Sequence, residues 1–140
     1  MIFVGIDWSE RHHDVCVLGT EGIQLARGRV PDGIEGVAEL HGILATHAEE
    51  PEEVFIGIET DRGLLVSALV AAGYRVFAIN PLSVDRYRDR HATSGAKSDP
   101  GDAKVLADLA RTDAHNHRAI AGDSDLVDSV KVLARAHQNL

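Results

Sequence analysis

Cysteine is almost absent from this chain: Cys16 is the only one in 140 residues. One thiol excludes an intrachain disulfide framework and fits a reducing cytoplasm. It lies in the alternating run Val15-Cys16-Val17-Leu18 with no activating neighbour, the setting of a buried, inert thiol rather than a nucleophile. Aromatics are scarce, with a single Trp. Trp8 follows an apolar run and reads as packing before it reads as a base-stacking platform. No apolar stretch is long enough for a membrane span, and no basic leader opens the chain. Internal repeats and low-complexity tracts are missing too. Hydrophobic residues make up 44% of the sequence, enough for one domain with a core of its own.

Positive charge is also in short supply, and the formal net charge is −8. Its distribution says more than its sum. Residues 1–74 hold 4 basic and 13 acidic residues, a balance of −9; residues 75–118 hold 8 basic and 6 acidic, a balance of +2. Arg86, Arg88, Arg90, Lys97 and Lys104 lie in that second segment and are the candidate phosphate-contacting residues. The overall acidity argues against tight, independent binding to duplex DNA, so a partner domain or RNA is expected to supply what is missing.

Four carboxylates stand out by position. Asp7 ends the run Ile2-Phe3-Val4-Gly5-Ile6, and Glu59 ends Val54-Phe55-Ile56-Gly57-Ile58. Asp99 and Asp102, three apart at the start of a helical stretch, project from one helix face. Carboxylates sharing one pocket repel, so they either take up protons or hold a hard cation. An all-oxygen donor set with no organised Cys or His favours Mg²⁺ or Mn²⁺ over zinc. Metal-dependent phosphodiester chemistry on a nucleic acid is the reading these residues support.

Periodicity supplies the scaffold. Residues 2–7, 13–18 and 22–30 read as three strands joined by short turns, an antiparallel meander. Residues 33–48 carry apolar positions at helical spacing. Strand 54–59, a helix over 62–72 capped by Asp61, strand 74–79 and a short helix over 81–90 follow. Their alternation predicts parallel pairing with right-handed crossovers. A polar stretch at 91–98, a helix over 99–112 and a loop at 113–122 complete a domain over 1–120. Leu126, Val130, Leu133 and Leu140 form the stripe of a last helix with no breaker behind it. Residues 121–140 are therefore expected to begin a longer helix, suited to a coiled-coil or dimerisation contact, in a chain cut at that point. The order of elements is that of a ribonuclease H-like α/β fold.

The motifs are weak singly and specific together. Gly5-Ile6-Asp7-Trp8-Ser9, Gly57-Ile58-Glu59-Thr60 and Lys97-Ser98-Asp99-Pro100-Gly101-Asp102-Ala103 fall in order along the chain. In these pieces the sequence resembles the N-terminal RuvC-like domain of the DEDD insertion-sequence transposases, the bridge-RNA-guided recombinases, over about residues 1–120. The resemblance implies a catalytic, metal-holding tetrad at Asp7, Glu59, Asp99 and Asp102, loaded with Mg²⁺ or Mn²⁺. It implies DNA and a guide RNA as partners, a homo-oligomeric assembly, and a C-terminal domain carrying a serine nucleophile, to which nothing in these residues corresponds. Two alternatives stay open: a stand-alone Holliday-junction or structure-selective nuclease, and a non-catalytic scaffold that binds RNA and dimerises. An actin-like or sugar-kinase ATPase ranks last, because Trp8-Ser9-Glu10 is no glycine-rich phosphate loop.

Overall fold

An apolar run and two segments with short turns between them become a meander of β1 (Ile2–Asp7), β2 (His12–Leu18) and β3 (Gln24–Pro31). In the computed structural model, residues 1–91 and 101–120 are described. Helix α1 (Ile34–His47) crosses back so that β4 (Val54–Ile58) pairs parallel to β1, and α2 (Leu64–Ala71) returns the chain to β5 (Arg75–Ala78), parallel to β4. Then come α3 (Pro81–His91), α4 (Asp102–Asp113) and β6 (Arg118–Ala119). The sheet order is β3-β2-β1-β4-β5-β6. Three antiparallel strands feeding into parallel ones, with helices on both faces, make this a ribonuclease H-like α/β fold.

Two details differ from the sequence expectation. Helix α2 starts at Leu64 and not at residue 62, and Asp61 is not its cap. The N-cap is Gly63, at φ 111, a left-handed backbone that only glycine adopts without strain. The expected loop over 113–122 contains a 3₁₀ turn (Ala114–Asn116) and β6, which pairs antiparallel to β5. A two-residue strand of Arg and Ala carries no periodic signal, so nothing local announces it. The last helix expected over 121–140 lies outside the described residues.

Alternation divides the core between the two faces. Ile2, Val4 and Ile6 of β1, with Ile56 and Ile58 of β4, are buried against Leu40 and Leu44 of α1 and Leu65 and Leu69 of α2. Phe3 of β1 and Cys16 and Leu18 of β2 pack on Ala103 and Ala107 of α4. Helix α3 leans on α4 through Val84, Leu106 and Leu109. Each large aliphatic side chain so buried contributes about 1.5–3 kcal/mol. Among the described residues, no helix is long and apolar enough to cross a membrane.

Candidate metal and nucleic-acid site at the strand ends

Strand register brings the first two acids together. Ile6 and Ile58 are parallel partners, so Asp7 and Glu59 follow side by side at the carboxyl ends of β1 and β4. That edge is where open α/β sheets place ligands. The third acid arrives through glycine. Gly5 and Gly57 are also register partners, two residues before Asp7 and Glu59 and on the same face. A Cβ on Gly5 would lie 1.8 Å from the Ala103 carbonyl oxygen and 2.4 Å from the Ala107 nitrogen. On Gly57 it would lie 2.5 Å from the Ile79 Cδ1 and 2.7 Å from the Leu106 carbonyl oxygen. The two glycines thus form a seat on which α4 rests backbone against backbone. Its first residue, Asp102, is carried to the strand ends.

The electrostatics record that gathering. Burial, and then the charge of Asp102, pushes the Asp7 carboxyl above its ordinary range, and Asp14 adds to the effect. Glu59 is raised by the same causes, burial first and then Asp102 and Asp7, with Asp85 behind them. Arg88 opposes both shifts, and its guanidinium contacts the Asp102 carboxylate. Asp14, the cross-strand partner of Asp7, is held below the ordinary carboxylate range by a 2.8 Å hydrogen bond from Arg29. Asp14 is thereby occupied, whereas Asp7, Glu59 and Asp102 act on one another. Among the described residues, no three His, Cys, Asp or Glu side chains converge on one point as metal ligands. The three carboxylates interact without closing on a common centre.

A cleft at the carboxyl ends of β1 and β4 is lined by Asp7, Trp8, Glu59, Thr60, Asp61 and Pro81, with Asp102 outside its lining. Trp8 is half exposed and stacks on His13, ring centroids 6.1 Å apart. His13 is buried; its Nε2 lies 3.0 Å from Asp32, and its Nδ1 accepts the Ser9 backbone N–H at 3.2 Å. This histidine is a structural post under Trp8 and the β1–β2 turn. Among the described residues, the Ser9 and Thr60 hydroxyls donate to the nearby His12 and Arg62 carbonyls. Asp61 accepts from Arg62 at 3.2 Å and from Arg118 at 2.6 Å, and those bonds hold its carboxyl below the usual range.

The DEDD transposase model of the IS110 group, described as "Transposase", matches residues 4–140. The chain belongs to this transposase family. It is 50% identical over 139 residues to the "Mini-circle putative transposase for IS117" of Streptomyces coelicolor, an alignment covering 99% of the chain and 34% of that relative. It is 34% identical over 140 residues to the "Putative transposase y4uE" of Sinorhizobium fredii, covering 99% of the chain and 39% of the relative. The chain therefore spans between a third and two fifths of the length of these relatives.

Within this transposase domain, the basic residues singled out in the sequence separate. Arg86 and Arg90 are exposed on α3, whereas Arg88 turns inward to Asp102. Lys104 reaches Asp108 at 3.4 Å and stays partly exposed. Lys97 and Asp99 lie outside the described residues. Sequence reasoning missed the glycine seat and the buried Asp108, which accepts a 2.6 Å hydrogen bond from Tyr87. A signal for the seat was present: Gly-Ile-Asp at 5–7 and Gly-Ile-Glu at 57–59 repeat one pattern, a glycine two residues before each acid.

Proposed function

We propose that this domain carries the divalent-metal site for DNA strand cleavage and exchange in an RNA-guided transposase. The observation that carries the reading is the placement of Asp7 and Glu59 on register-locked strands with Asp102 delivered beside them by α4. The donor chemistry fits a hard cation: Asp102 raises the proton affinity of Asp7 and Glu59, and such repulsion is relieved by sharing a positive charge. Asp7, Glu59 and Asp102 would hold Mg²⁺ or Mn²⁺, with Asp99 as the fourth ligand by resemblance. When bound, such an ion supplies Lewis-acid stabilisation of charge on the phosphate oxygens undergoing substitution.

The chain's own residues have separate tasks. Asp7 and Glu59, fixed by the sheet, define the position of the reacting phosphate. Arg86 and Arg90 on the exposed side of α3, with Lys104 and Lys97, contact the flanking phosphates and set register on the nucleic acid. A C-terminal domain brings the serine that attacks DNA, a guide RNA selects the sites, and subunits assemble through the segment 121–140.

The test is a recombination assay of the full-length protein with guide RNA, donor and target DNA. Wild type is compared with Asp7→Ala and Asp102→Ala, in Mg²⁺ and in EDTA. Loss of product in both folded variants and in EDTA is expected. Full activity of folded variants would make the domain a scaffold and overturn the proposal.

A further inference from the structure

Three arginines at alternate positions of α3 look equivalent in sequence, but the helix sorts them. Val84, Tyr87 and Arg88 share the inward face at helical spacing, while Arg86 and Arg90 are exposed. Val84 packs in the cluster with Leu106 and Leu109 of α4, and Tyr87 is bonded to Asp108 of α4. With both neighbours anchored, Arg88 is directed to the first residue of α4. Its guanidinium contacts the Asp102 carboxylate, and its side chain is 28% exposed against 44% for Asp102. Its charge also reaches Asp7 and Glu59, lowering the proton affinity of both.

We propose that Arg88 is the resident cation of the acidic cleft and competes with the divalent ion for Asp102. The inference rests on the metal-site reading above and adds a step to it: the guanidinium must leave the carboxylate before that oxygen can become a ligand. A monovalent side-chain cation tempers the repulsion among Asp7, Glu59 and Asp102, so the cleft folds without metal. On leaving Asp102, Arg88, which sits on the same helix as the exposed Arg86 and Arg90, would turn toward a phosphate. Loading of the ion and engagement of nucleic acid are coupled through one side chain.

The experiment is calorimetric titration of the chain with MnCl₂ at neutral pH, comparing wild type, Arg88→Met, Arg88→Lys and Asp102→Asn. Arg88→Met, which removes the competing charge, is expected to bind Mn²⁺ about tenfold more tightly than wild type. Arg88→Lys keeps the charge and is expected to stay near wild type, and Asp102→Asn to lose most of the affinity. Equal or weaker binding by folded Arg88→Met would overturn the competition while leaving the metal site standing. Binding by none of the four proteins would overturn both. Should Arg88→Met not fold, the wild-type chain carries the test: the Arg88 side-chain ¹⁵Nε resonance must shift with added Mg²⁺ in step with binding. An unmoved resonance at saturation would reject the proposal.

Discussion

Tyr87 of α3 donates a 2.6 Å hydrogen bond to the buried carboxylate of Asp108 on α4. Lys104 approaches the same carboxylate at 3.4 Å and Arg111 at 3.8 Å, so one buried acid gathers a phenol and two cations. The bond fixes α3 against α4, and Arg88 is the next residue along. Burial, reinforced by that carboxylate, pushes the Tyr87 phenol up to about 12.

Replacing Asp108 with Asn should therefore lower the Tyr87 ionisation part of the way toward the ordinary tyrosine value, leaving the burial contribution in place. Alkaline titration followed by phenolate absorbance measures it, with Tyr74, also raised to about 12 by burial, as the unmoved internal reference. The same variant should lose about 1–3 kcal/mol of stability, because a charge-assisted hydrogen bond is weakened in a buried site. An unchanged titration curve would show that the carboxylate does not govern Tyr87.

Gly5→Ala should destabilise the domain by about 3 kcal/mol or more, since the new methyl meets helix backbone and not a side chain that can turn aside. Gly42→Ala is the matched control. That glycine lies within α1 with nothing within 4 Å of its would-be Cβ. The substitution should stabilise by about 0.5–1 kcal/mol, because alanine loses less backbone entropy in a helix. Chemical denaturation of both variants distinguishes the cases, and equal midpoints would remove the seat from the account.

The raised carboxyls make a prediction about pH. A group whose affinity for protons is higher in the folded chain costs stability once it ionises. The cost begins where the unfolded chain ionises, at about pH 4, and is complete above the folded value. For metal-free protein, Asp7→Asn should raise the melting temperature at pH 7, and the advantage should fade as the pH approaches 4. Millimolar Mg²⁺ should stabilise wild type at pH 7 more than it stabilises the variant. A variant less stable than wild type at neutral pH without metal would contradict the repulsion inferred at the strand ends.

Trp8 is the single tryptophan and adjoins Asp7 in sequence, so its emission reports on the cleft alone. Paramagnetic Mn²⁺ bound there should quench Trp8 fluorescence saturably, Mg²⁺ should reverse the quenching by competition, and Asp7→Asn should abolish it. Quenching by Mn²⁺ that persists undiminished in Asp7→Asn would place the ion elsewhere.

What the sequence revealed and what it hid follow from range. The runs ending at Asp7 and Glu59, the meander and α1 rest on local alternation and periodicity, which single segments display. Asp61 has the neighbours of a helix cap, but Arg118, 57 positions away, engages it instead. Arg86, Arg88 and Arg90 were indistinguishable until α4 supplied a face for one of them to meet. Strand β6 exists because β5 offers an edge, and the Ile120 N–H bonds to the Val76 carbonyl at 2.8 Å only after the chain has turned back. Each of these is a long-range partner choice, invisible in a local pattern. His13 illustrates the opposite hazard. Beside His12 in sequence it looks like half of a pair, yet alternation turns the two side chains apart and His13 is engaged with Asp32 and Ser9.

The seat of α4 on Gly5 and Gly57 also sets a tolerance. Helices usually stand off a sheet by the bulk of the side chains between them, so their spacing drifts as cores are repacked. Here the gap is gauged by main-chain atoms, which are the same in every amino acid. Substitutions at Phe3, Cys16 or Leu18 can loosen or fill the surrounding core without moving this stop. The span from the strand-end pair to Asp102 thereby depends on the two glycines more than on the bulk of the side chains around them.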